Sequence, residues 1–109
     1  MTMNELEKGE RYAALLDIYG NLLGAAERRR AQEHYYSDYS FAEIAEREHI
    51  SRNAVYLSIK AAERKLDGFE DRLGLWVKKT KAQALLDRIE KTADNSERAE
   101  ALAALRRLL

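Results

Sequence analysis

Between Ser40 and Leu66 two apolar rows, each opened by a serine, lie either side of a three-residue break, and few folds accept that arrangement. Ser40 precedes Phe41-Ala42-Glu43, the spacing of a capping box in which the serine hydroxyl caps the amide at Glu43 and the Glu43 carboxylate reaches back. The helix it opens is expected to last about eight residues and to bury Phe41, Ile44 and Ala45. Glu48-His49-Ile50 reads as the turn, with His49 where glycine is common, because histidine tolerates positive φ. Ser51 caps the next helix, whose buried row is Val55, Ile59, Ala62 and Leu66, at steps of four, three and four. The row continues to Phe69 and Leu73, so this helix is expected to reach Gly74; whether it runs on past Gly74 stays open. Two short helices joined by a tight turn are the sequence form of a helix-turn-helix. Ala45 lets the pair cross closely and Ile50 plugs the turn.

The flanking segments also read as helix. No proline and only five glycines interrupt 109 residues rich in Ala, Leu, Glu, Lys and Arg. Glu5 to Leu23 places Leu15, Ile18, Tyr19, Leu22 and Leu23 on one face, with Gly24 as the stop. Ala25 to Tyr36 is charged, with Arg28, Arg29 and Arg30 in a row, and Ser37 to Ser40 is a turn. Leu75 to Ala93 carries Trp76, Val77, Leu85, Leu86 and Ile89. Asp94 with Glu97 makes a second capping box, and the last helix sets Leu102, Leu105 and Leu109 on one side. Residues 1–74 are read as the helix-turn-helix domain, with its motif at 40–66. Residues 75–109 are C-terminal helices that extend the packing of that domain or dimerise it. Trp76, Leu85, Leu86, Leu102 and Leu105 are the candidate dimer interface, since apolar stripes of that size are rarely left bare.

With Val55 and Ile59 committed to the core, the second helix must turn Arg52, Asn53, Tyr56, Lys60 and Arg64 outward. Arginine and lysine pair with phosphate or guanine edges, asparagine with adenine, and tyrosine with a phosphate oxygen or a thymine methyl. Ser51 joins them, because the capped helix start presents backbone amides suited to a phosphate. The chain as a whole is neutral, with 19 basic and 19 acidic residues. Ser51 to Leu66, however, holds Arg52, Lys60, Arg64 and Lys65 against the single acid Glu63. Duplex DNA is therefore a candidate partner through local charge. Set against it, basic residues on an exposed helix face are commonly just solvated, and Glu43, Glu46 and Glu48 would repel a phosphate backbone.

Other chemistry finds little support. Carboxylates are scattered at salt-bridge spacing, with no glycine-rich phosphate loop and no Ser/His/Asp set, so the reading is not an enzyme. Cysteine is absent, and His34 and His49 lack a second ligand at metal spacing, so neither metal nor cofactor is expected. Tyr35, Tyr36 and Tyr39 either stack on bases or seal a core. No apolar run approaches the roughly 20 residues of a membrane span, and the opening MTMNELEKGERY lacks a signal-peptide core. The expectation is a cytoplasmic protein with no membrane partner.

Tyr39-Ser-Phe-Ala-Glu-Ile-Ala-Glu, then Ile50-Ser-Arg-Asn-Ala-Val-Tyr, then Ile59-Lys and Glu63, resemble the pattern of the YlxM family of small bacterial proteins. The helix before it, with Leu15, Tyr19 and Leu22-Leu23 ahead of a tyrosine pair, fits as well. The resemblance covers about residues 10–75; residues 76–109 match no motif. A looser similarity is to region 4 of bacterial sigma factors. The resemblance implies an all-α fold: a sigma-region-4-like core of three to four helices with additional C-terminal helices, dimeric. It further implies a DNA-binding regulatory protein of the signal recognition particle pathway. The alternative is an interaction module that contacts the signal-recognition-particle GTPase or its RNA. Phe41 stands where the family usually has Leu, and His49 where it has a small turn residue.

Overall fold

The computed structural model describes residues 3–109, and over them the chain forms helices joined by short turns. They fall into two compact units, the first ending at Leu73 and the second running from Gly74 to Leu109.

The first unit holds α1 (Glu5–Tyr19), α2 (Ala25–Tyr35), α3 (Phe41–Glu48) and α4 (Arg52–Leu73). Asn4 caps α1 by accepting from the Glu7 amide at 2.8 Å, and Glu5 and Glu7 complement the positive end of its dipole. α1 ends at Tyr19, earlier than its periodicity suggests, and a 3-10 turn over Gly20–Leu22 follows. That tighter winding rotates the chain out of phase, so Leu22 is exposed while Leu23 is buried. Gly24 is not the stop of this helix. It is the extended residue before α2, and its carbonyl accepts from the Arg28 amide at 2.8 Å.

α4 is the spine of the unit. Val55, Ile59, Ala62 and Leu66 are fully buried, facing Tyr12, Leu15, Leu16 and Tyr19 of α1, Ala31 of α2, and Ile44 and Ala45 of α3 within one core. Each large apolar side chain so buried contributes about 1.5–3 kcal/mol. The row does not stay buried beyond Leu66, since Phe69 is half-buried and Leu73 exposed. Gly74 ends α4 with a left-handed backbone (φ 61°), a conformation that glycine adopts without steric cost.

The same helix carries a second row one step round: Glu63, Asp67 and Glu70, each of which accepts a tyrosine hydroxyl. Tyr12 donates to Asp67 Oδ2 at 2.8 Å and Tyr19 to Glu70 Oε1 at 2.7 Å, while Tyr35 of α2 donates to Glu63. Arg11 adds a 2.8 Å bond to Asp67 Oδ1. Glu63 and Glu70 are buried, and such groups are tolerated only when hydrogen-bonded. Beside them Tyr36 donates to Asp17 at 2.6 Å, tying the end of α2 back to α1.

Burial, and then the bond to Asp67, pushes Tyr12 up to about 12. Burial and the bonds to Glu63 and Asp17 push Tyr35 and Tyr36 upward as well. A raised folded-state pKa means that the stabilisation is complete below the unfolded value of about 10 and is lost as pH rises through the folded value. Tyrosinate absorbance is thus expected to appear in two stages, with Tyr12, Tyr35 and Tyr36 ionising only as the helices melt. A single step near pH 10 for all six tyrosines, with helix content intact, would contradict these contacts.

The second unit is a pair of helices, α5 (Leu75–Lys91) and α6 (Asn95–Leu108). Asp94 caps α6 by accepting from the Ser96 and Glu97 amides. The expected reciprocal arm of that box is absent: the Asp94 amide donates to Thr92 Oγ1, and Glu97 instead accepts from the Thr92 hydroxyl. Arg98 closes the turn with a 2.6 Å bond to the Thr92 carbonyl. Ala101 is the one fully buried apolar residue of the pair among those described. Leu85 and Ala84 of α5 face Ala104 and Leu108 of α6 across an open groove of about 400 Å³, rimmed by Lys81 and Arg88.

Candidate nucleic-acid interface

α3 and α4 form the expected pair, and their geometry comes from local chemistry. Ser40 Oγ accepts from the Glu43 amide at 3.1 Å while Glu43 Oε1 accepts from the Ser40 amide at 3.1 Å, completing the capping box. His49 ends α3 in the left-handed conformation (φ 57°), and the Ile50 amide returns to the Ala45 carbonyl at 3.1 Å. Ser51 Oγ accepts from the Ala54 amide at 2.9 Å and opens α4. Ile44, Ala45, Val55 and Ile59 seal the crossing; Ile50 and Phe41 are half-buried, less deep than expected.

The six candidate contact residues separate into two groups. Ser51, Arg52, Asn53, Tyr56 and Arg64 are exposed. Arg52 and Arg64 have no acidic partner among the described residues. Lys60 is half-buried and turned inward, with Nζ 3.2 Å from Glu63 Oε1 and 5.5 Å from the centre of the Tyr56 ring. Glu63 also receives Lys8 at 3.7 Å. Lys60 is therefore part of the Tyr35–Glu63 cluster as well as of the helix face.

Of the three acids of α3, Glu48 is paired with arginines and Glu43 serves the cap, while Glu46 stays exposed. Glu43 is held by Ser40, and those backbone and hydroxyl bonds keep its carboxyl below the usual range. Glu48 is clamped by Arg30 at 2.9 Å and by Arg29 at 2.9 Å, and the Arg30 bonds hold its carboxyl low. The third fork nitrogen of Arg30 donates to Ser58 Oγ on α4 at 3.1 Å. The arginine run of α2 is thus a brace that ties α2, α3 and α4 together. Its signal in the sequence was only a charge run, because its partners lie far along the chain.

His34 and the α2–α3 tyrosines are structural too. His34 Nδ1 lies 2.8 Å from the Tyr39 carbonyl, and its ring packs on Phe41 at 4.7 Å. Arg47 lies over Tyr39 at 4.8 Å. No group of acids and histidines among the described residues could hold a metal ion, and no helix among them is long and apolar enough to cross a membrane.

Phe41, absent from the candidate set, belongs at this face. Its ring meets Tyr56 edge-on at 6.0 Å, and together with Arg52 and Asn53 the two rings line an open recess of about 570 Å³. No spacing rule on α4 alone could have found it, because Phe41 comes from the other helix.

Charge is unevenly shared. Residues 74–109 hold eight Lys and Arg against five acids, which leaves eleven against fourteen in residues 1–73. Of those fourteen acids, Glu63 and Glu70 are buried and Asp17, Asp67 and Glu48 are hydrogen-bonded. Of the candidate dimer residues, Leu86 and Leu102 are 42% and 43% exposed, while Trp76, Leu85 and Leu105 are half-buried.

Known proteins with this pattern are numerous. A UPF0122 protein of Exiguobacterium sibiricum is 38% identical over 103 residues, covering 94% of this chain and 97% of the relative. One from Symbiobacterium thermophilum is 38% identical over 100 residues, covering 89% and 94%. The YlxM protein of Bacillus subtilis is 34% identical over 100 residues, covering 92% and 91%. The family model described as "Putative helix-turn-helix protein, YlxM / p13 like" matches residues 6–106, and so takes in the C-terminal helices that no motif had placed. With caps, turn, core row and near full-length similarity in agreement, the chain belongs to the UPF0122 family of YlxM-like helix-turn-helix proteins.

Proposed function

We propose that this chain is a DNA-binding regulatory protein, not an enzyme, that lays the N-terminal half of α4 in the major groove of duplex DNA. One observation carries the reading: Arg52, Asn53, Tyr56 and Arg64 stand exposed on one helix, and the neighbouring acid Glu48 is neutralised by Arg29 and Arg30. In helix-turn-helix docking the start of the second helix meets base edges while the first crosses the backbone. Ser51 and the capped helix start then suit a phosphate, and Lys60 contributes by leaving Glu63 for the DNA.

Two such helices are presented together by a homodimer in this reading. A two-helix unit with a single buried alanine leaves Leu86 and Leu102 bare, and a second copy covers them along with parts of Trp76, Leu85 and Leu105. A one-chain sedimentation mass at micromolar concentration contradicts the dimer. In this reading the protein works in the cytoplasm, in the signal recognition particle pathway that the resemblance of residues 39–63 implies. The basic surplus of residues 74–109 favours a second reading, contact with that particle's GTPase or its RNA.

Fluorescence anisotropy on labelled duplex at low salt tests the main reading. Affinity is expected to fall linearly with salt on logarithmic axes. Arg52→Ala with Lys60→Ala is expected to weaken it by roughly 5- to 100-fold, most of it from Arg52. Unchanged affinity in the double variant overturns the reading.

A further inference from the structure

The recess between Phe41 and Tyr56 has no part in the core, and its chemistry is specific. Tyr56 is 43% exposed, although Val55 and Ile59 on the same helix already fill the crossing. Its hydroxyl has no hydrogen-bond partner among the described residues, so no polar tether accounts for the ring's position. The ring is instead held by other contacts: Phe41 meets it edge-on, and Lys60 lies over it at 5.5 Å. Phe41 is fixed in turn by His34 and by its place as the first residue of α3. Two aromatic walls are thus preset, with Arg52 and Asn53 at their edge.

We infer that this recess reads the 5-methyl group of a thymine, with Arg52 and Asn53 addressing the neighbouring base edges. The inference rests on the DNA-binding reading and deepens it. Among the four bases only thymine offers a methyl in the major groove, and apolar side chains are its usual contact. Both walls are apolar, while the two polar side chains beside them carry the donors and acceptor that guanine and adenine edges require. The recess also lies where the first helix meets the start of the second, the part of the motif that approaches base edges.

Duplexes selected by the intact protein from a random-core pool are expected to share a thymine at a fixed position. Remaking the selected duplex with deoxyuridine there removes one methyl and nothing else. Affinity of the unaltered chain should then fall about four-fold, the burial of one methyl group. Tyr56→Ala should bind both duplexes equally, with helix content unchanged because the side chain is at the surface. Tyr56→Phe should keep the preference, since the hydroxyl is not used. Equal binding of thymine and uracil duplexes by the unaltered chain overturns the inference and leaves the DNA-binding reading standing. Failure to bind any duplex, or preference for single strands, overturns both.

Discussion

Ile59→Ala is expected to lower the unfolding free energy by about 2–5 kcal/mol, a large part of the roughly 5–15 kcal/mol that a chain of this size has in total. Ile59 is fully buried where α4 crosses α3, between Val55 and Ala62, and truncation leaves a cavity that three helices cannot jointly close. Tyr56→Ala lies one turn earlier, on the exposed flank of the buried row, where the side chain is already 43% exposed, and should cost no more than about 1 kcal/mol. Urea unfolding at neutral pH separates the two, through a large drop in midpoint for the first and a small one for the second. Similar midpoints for both would mean that the two faces of α4 are wrongly assigned.

Arg30→Ala is expected to cost about 1.5–3 kcal/mol, more than an exposed ion pair, because its fork joins three helices. It gives up three bonds to Glu48, two of them shared by Nε, and one to Ser58, and leaves Glu48 with Arg29 alone. Arg30→Lys should recover only part of the loss, since an ammonium cannot reproduce the planar fork. The effect depends on pH with a definite sign. Bonds from Arg30 hold the Glu48 carboxyl below its ordinary range, so its contribution is present above the unfolded value of about 4.3 and fades as pH falls through the folded one. The gap between Arg30→Ala and the unaltered chain should therefore narrow in acid. A gap that is constant from neutral to acid pH would remove Glu48 from the account.

What the sequence told in advance was whatever lies within one helical turn of its own signal. The Ser40 and Ser51 caps, the positive φ of His49, the eight-residue α3 and the Val55–Ile59–Ala62–Leu66 row are all of that kind. Missed were contacts between residues far apart in the chain. Glu63, Asp67 and Glu70 carry helical spacing, but nothing local says that Tyr35, Tyr12 and Tyr19 will reach them. In the sequence Arg30 is only one of three successive arginines, for the same reason. Leu22 was misplaced because a 3-10 turn shifts the phase of the pattern, and Tyr12 and Leu16 were overlooked as core. At the candidate interface, the outward direction of Arg52, Asn53, Tyr56 and Arg64 followed from the buried row. The inward turn of Lys60 and the presence of Phe41 required a second helix.

Whether the exposed start of α4 is the surface that meets DNA can be mapped directly. Backbone amide resonances of the intact protein should be followed while duplex is added at low salt. Shifts should concentrate on residues 51–64 and on the start of α3, and fade as salt rises. Shifts confined to residues 74–109, or none at saturating duplex, would contradict that assignment.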